Sequence, residues 1–206
     1  MIYGDHLKKM ILLLACLCCA ALCINAIAAQ IATSKLTTLR EDSGKNYSEM
    51  NFTLFSSLAE FGILDAGEAV KFTAPKSGWK LQKVRIVGWS GFNQSAQKFP
   101  DDGNIMLEIR DKDLNILYKF ADAQNNYFLS DTGPLFGEIE IPTVLVTGDF
   151  YVVFYDRGAA RIGMETTDST GKSFLFMGGQ MQPADIPLNE TNETVKINWL
   201  IEALGK

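Results

Sequence analysis

Beyond residue 28 the chain has neither cysteine nor histidine: Cys16, Cys18, Cys19, Cys23 and His6 account for every one in the sequence. Without a histidine base or a thiol, that stretch cannot assemble a Ser-His-Asp or Cys-His catalytic set. Nor can it build an ordinary zinc site, whose ligands come mainly from the same two side chains. It cannot form a disulfide either. Yet 178 residues follow position 28 of 206, enough to bury a core without such staples. A basic run is also missing. The formal net charge is −5, and it becomes −6 once residues 1–28, with two lysines against one aspartate, are removed. Nucleic-acid phosphates need a basic surface, so nucleic acid is not an expected partner. No G-x-S-x-G, P-loop or G-x-G-x-x-G element occurs, and no cofactor is implied.

The N-terminus is organised differently from the rest. Lys8 and Lys9 precede a nearly continuous apolar stretch from Met10 to Cys23, which ends in small residues with an A-x-A-type site at Ala26-Ile27-Ala28. Residues 1–28 are therefore expected to be an export signal, cut after Ala28 or Ala29. The rival is an uncleaved anchor. Met10–Ala29 is 20 residues, long enough to cross a bilayer as a helix, and would be the only membrane contact. Asn25 and the small residues after it favour cleavage. Leu13-Leu14-Ala15-Cys16 has a faint lipoprotein character, but the apolar run before it is too short. Both main readings put the remainder outside the cell or on its surface. An exterior domain without disulfides hints at a prokaryotic origin. Five N-x-S/T sequons follow, at Asn46, Asn51, Asn93, Asn189 and Asn192, each a glycosylation candidate on an accessible surface.

Residues 29–66 read as an N-terminal arm. Up to residue 48 it is polar and lacks periodicity, as a linker does; Met50, Leu54, Leu58 and Phe61 then fall at helical spacing, which favours a short helix over a strand. From Glu68 the period is two. Val70, Phe72 and Ala74 alternate with polar residues, as do Val84 and Ile86, Ile105 to Ile109, Leu114 to Phe120, and Ile139 and Ile141. Phe150–Tyr155 is apolar on both faces and should be a central strand. Phe174, Phe176 and Val195–Ala203 supply the last strands, with 178–194 between them as a long surface loop. Eight or nine short strands without helices between them predict an all-β domain over 67–206: two antiparallel sheets in a jelly-roll or related sandwich.

The runs GEAVKFTAPKSGWKLQKVRIVGW (67–89), LEIRDKDLNILYKF (107–120), GDFYVVFYDRG (148–158) and NWLIEALGK (198–206) resemble a set found in uncharacterised exported β-sandwich proteins of methanogenic archaea. The resemblance spans residues 67–205 and rests on strand and turn patterns. It implies a sandwich at or beyond the cell surface and carries over no functional residues.

Three groups of residues could carry chemistry. Trp79, Trp89 and Phe92 lie in or near a Gly-rich loop, GWSGFN, and Tyr127 and Phe128 in another, NNYF. Sandwich domains that bind sugars stack flat rings on them, and Asn93, Gln94, Asn125 and Asn126 are suitable polar neighbours. Trp89, Phe92 and Tyr127 are the candidate ligand-binding residues, against the plainer reading that large aromatics such as Trp89 and Phe128 pack the core or its edge. Glu138 and Glu140 project from one strand face about 7 Å apart, within the span a glycosidase needs, although an amphipathic strand's solvent side looks the same. Asp111-x-Asp113-x-Asn115 opens like a calcium loop with Asp122 at the twelfth position, but Ile116 stands where glycine is needed and Lys119 at the ninth. A hairpin turn is preferred.

The expected protein is therefore a non-enzymatic cell-surface or secreted sandwich serving adhesion, envelope structure or ligand binding. A glycan or cell-envelope component is the expected partner. A carboxylate-based glycan-active enzyme and a subunit that assembles through sheet edges are the alternatives.

Overall fold

The computed structural model describes residues 35–55, 63, 65–91, 93, 97–187 and 194–206. The expected export signal, Phe92, Gln94, Asn189 and Asn192 lie outside the described residues. The strands belong to one compact unit, Leu36–Lys206. In chain order they begin with β1 (Thr37–Arg40), β2 (Thr53–Phe55), β3 (Gly67–Thr73) and β4 (Trp79–Gly91). Then come β5 (Asn104–Asp111), β6 (Ile116–Ala123), one turn of helix α1 (Asn125–Phe128), β7 (Leu129–Ser130) and β8 (Leu135–Val146). β9 (Asp149–Tyr155), β10 (Arg161–Glu165), β11 (Ser173–Met177) and β12 (Gln180–Pro183) follow. The C-terminal part holds β13 (Asp185–Pro187), β14 (Thr194–Lys196), β15 (Asn198–Trp199) and β16 (Ile201–Gly205). Among the described residues no helix is long and apolar enough to cross a membrane.

The expected all-β, two-sheet antiparallel sandwich is what forms. Sheet I runs β1-β16-β4-β10-β15, with β8 along the other edge of β4 and β2 beside β10. Sheet II runs β12-β11-β3-β9-β5-β6. From β3 to β11 the chain crosses between sheets at every connection except β5–β6 and β7–β8. The alternation in the sequence thus becomes two apolar inner faces pressed together. Val70, Phe72, Phe150, Val152 and Phe154 of sheet II meet Leu81, Val84, Ile86, Ile139 and Ile201 of sheet I, all fully buried. Trp79 and Trp199, each 1% exposed, fill the largest spaces. Each such side chain withdrawn from water stabilises the fold by about 1.5–3 kcal/mol before entropy is counted.

β9 is central, between β3 and β5, as its two-faced apolar pattern requires. Its outward residues Val153 and Tyr155 join Ala69, Met106 and Phe176 in a second buried cluster on the outer face of sheet II. Glu108 lies on that face, 2% exposed, with Arg110 at 2.6 Å, Lys119 at 3.3 Å and the Tyr155 hydroxyl donating at 3.0 Å.

Three expectations are corrected. The N-terminal arm is part of the sandwich: β1 pairs with β16 from Thr37↔Gly205 to Arg40↔Glu202. The preferred helix does not form at 53–55, which is strand β2 paired with β10 through Leu54↔Gly163; residues 56–62 lie outside the described residues. Local spacing fits both forms, and the open edge of β10 decides between them. The surface loop expected over 178–194 is instead a hairpin followed by a strand pair. Gly178 and Gly179, with φ of 57° and 80°, form the two-residue link of β11 to β12, a turn that needs positive φ at both positions. β13 then pairs with β14.

Candidate functional site

One pole of the sandwich is built from the end of β4, the β9–β10 connection and the segment before β5. Inward parity along β4 carries Ile86, Gly88 and Ser90; outward parity carries Val87 and Trp89. The stretch GWSG is therefore the end of a strand rather than a loop. It is held there by pairing to β10 (Trp89↔Arg161) and to β7 (Ser90↔Leu129). Phe128 lies against Gly88 and Gly137 in place of the side chains those residues lack. The opposite wall is fastened by Gln124, whose Oε1 accepts from Gly103 N–H and whose amide donates to Asp101 O at 3.1 Å. In the β9–β10 connection, Asp156 Oδ1 accepts from Gly158 N–H at 2.8 Å.

These segments enclose a cleft of about 480 Å³ lined by Trp89, Ser90, Lys98, Phe99, Asp101 and Arg161, among others. The volume falls within the range of small-ligand sites. Trp89 is half-buried and its indole N–H donates to Ser130 O at 2.9 Å. Gly91, two residues on and on the same face, sits directly beneath that ring, so a Cβ there would collide with it. Lys98 and Asp101 pair at 3.3 Å. Arg161 is exposed and has no ion-pair partner among the described residues. Ser90 is 4% exposed, and its Oγ has no hydrogen-bond partner among the described residues. That hydroxyl lies on the inner side of β4, opposite the Trp89 ring, and is closed off from solvent.

A second unusual group lies at the same pole. Glu68 shares inward parity with Val70 and Phe72 and is 1% exposed, with Oε2 unpartnered among the described residues. Burial, then the nearby charge of Asp156, hold its carboxyl well above the usual carboxylate range, against the opposing pull of backbone N–H groups.

Of the sequence-expected site residues, Trp89 lines the cleft. Tyr127 does not: NNYF is the helical turn α1, and there the Tyr127 ring meets Phe120 edge-on at 6.4 Å. Its hydroxyl donates to Asp122 Oδ2 at 2.8 Å; burial and that bond push the phenol up to about 12. Trp79 and Phe128 are core. Asn125 is half-buried in α1 and Asn126 donates to Asp122. Asn46, Asn51 and Asn93 are exposed, and Asn93 closes a bridge with Lys98 at the cleft wall. Glu138 and Glu140 lie on the outer face of β8, Lys83 reaching them at 2.6 and 3.4 Å. Asp111 Oδ1 accepts from Asp113 and Asn115 N–H, both at 2.9 Å, and Oδ2 from the Asn115 amide at 2.9 Å. Asp122 pairs with Ile105 at the far end of the hairpin, about 20 Å along the strand from Asn115. Among the described residues no three acidic, cysteine or histidine side chains converge on a metal position.

Arg161 escaped the sequence reading because only the cross-strand register brings it beside Trp89, and Lys98 and Asp101 because the segment before β5 reaches the cleft only in the folded chain. Glu68 had a signal: it is a charged residue at a core-parity position. No protein-family model matches this chain, and no curated protein matches it in sequence.

Proposed function

We propose that the protein is an exported, non-enzymatic cell-surface or secreted sandwich that binds carbohydrate in the polar cleft at the Trp89 pole, in an adhesion or envelope-binding role. The observation that supports this reading is a half-buried indole in one concave site with a cation and an ion pair. An aromatic ring covers a sugar's apolar face while polar groups take its hydroxyls. The catalytic alternative has no comparable support. Glu138 and Glu140 share Lys83 on an exposed strand face, where charges are well hydrated.

A glycan array paired with a turnover assay tests the reading. Binding without product, lost in Trp89→Ala, is the expected result. Absence of binding to any glycan sinks the reading, and product formation lost in Glu138→Gln or Glu140→Gln would replace it with the enzyme.

One observation favours a second reading, assembly through sheet edges. β6 is an edge strand of sheet II and leaves Ile116 and Leu117 49% and 42% exposed. Sedimentation at high protein concentration tests it, and a strict monomer rules it out.

A further inference from the structure

Resting on the carbohydrate reading of the cleft, we infer that its ligand is an acidic saccharide, with a uronate carboxylate taken by Arg161 while the sugar ring lies on Trp89. Lys98 is neutralised by Asp101 at 3.3 Å, which also removes the repulsion Asp101 would otherwise exert on an anion. Arg161 is the one cation on the cleft wall with no ion-pair partner among the described residues. A guanidinium presents a planar fork of donors that matches a carboxylate with two parallel bonds.

Register supplies the second step. Trp89 and Arg161 are direct partners across the β4–β10 pair, so both side chains leave the same sheet face with Cβ atoms about 4.5–5.5 Å apart. A pyranose stacked on the indole therefore has its ring edge, where a uronic acid carries the carboxylate, beside the guanidinium. A neutral hexose uses the ring but leaves Arg161 unanswered.

The test is titration calorimetry of the intact protein with an oligogalacturonate and with the matching neutral galacto-oligosaccharide, at low and high salt. The wild-type protein should prefer the uronate by about tenfold or more, the factor that 1.4 kcal/mol represents. Salt should erode that preference. Arg161→Gln should bring the uronate down to the neutral sugar's affinity, and Arg161→Lys should keep part of the preference. Circular dichroism of both variants checks that the fold persists. Equal affinity of the wild-type protein for the two sugars, or a uronate preference intact in folded Arg161→Gln, overturns acidic selectivity while carbohydrate binding stands. Binding of neither sugar by the wild-type protein overturns both.

Discussion

Phe128 occupies the volume in which a side chain of Gly137 would stand: a Cβ placed on Gly137 would lie 2.5 Å from the Phe128 ring. Gly88, on the neighbouring strand, meets the same ring at 2.6 Å. The pair forms a seat that fastens α1 to sheet I beneath the cleft. Gly137→Ala should destabilise by about 1–3 kcal/mol through overpacking. Phe128→Ala should cost about 3–5 kcal/mol through the void it leaves. Urea unfolding measures both, and a neutral Gly137→Ala would mean that the ring can move away freely.

Two buried glutamates should give opposite pH signatures. Glu68 has its pKa raised in the folded state, so between the unfolded and folded values the native protein holds a proton that the unfolded chain has released. Its contribution is complete below the unfolded pKa and is lost as pH rises through the folded one. At Glu108, burial pushes the pKa up, but Arg110 and Tyr155 outweigh it and the net shift is downward. Stability from Glu108 is present above its unfolded pKa and is lost as pH falls through the folded value. Glu68→Gln should remove the loss on the alkaline side and leave the variant more stable than wild type at neutral pH. Denaturant midpoints between pH 4 and 9 report this, and parallel curves for the two proteins would contradict it.

The arm should prove to be integral to the sandwich. Glu202, 1% exposed, accepts from Arg85 Nε at 2.7 Å and lies 3.4 Å from Arg40 Nε. The Tyr47 hydroxyl stands between Glu202 and Asp42, at 3.1 and 3.0 Å, with one proton to donate. Burial, then the charge of Glu202, hold that phenol well above its usual range. Glu202→Ala removes the main partner of Arg85 and one of the two partners of Arg40, which keeps Asp42, and should cost about 1–3 kcal/mol. Tyr47→Phe should cost about 1 kcal/mol, the worth of one net hydrogen bond. Thermal unfolding checks both, and losses near zero would show that the arm adds nothing to stability.

Calcium should leave the protein unchanged. Both Asp111 oxygens already hold the β5–β6 turn, where Leu114 takes a φ of 67°. The expected result is an identical melting temperature with millimolar calcium or with chelator; a calcium-dependent rise abolished in Asp111→Asn would reverse this assignment.

The strands expected by alternation are present because a sheet buried on one face leaves its period in the chain, as in Val70, Phe72 and Ala74 of β3 and the segment after it. β1 and β10 left no such mark. TTLR carries one apolar residue, and RIGME breaks its apolar pair with Gly163. Both are strands because neighbouring backbones offer unpaired hydrogen-bonding groups, a condition set by residues 72 to 168 positions away in the chain. The Gly178-Gly179 turn was legible from its dipeptide, but the polar stretch after it hid the pairing of β13 with β14.

By itself the sequence determined a cysteine- and histidine-free β-sandwich and its central strand, and it offered Trp89 as a candidate ring. Composition and period are local properties, carried by each segment wherever it goes. The tertiary structure alone decided that Tyr127 packs away from the cleft, that Glu68 is buried beside Asp156, and that Arg161 stands across from Trp89. Those are matters of register and of which strand ends share a pole, fixed only when two sheets close on one core.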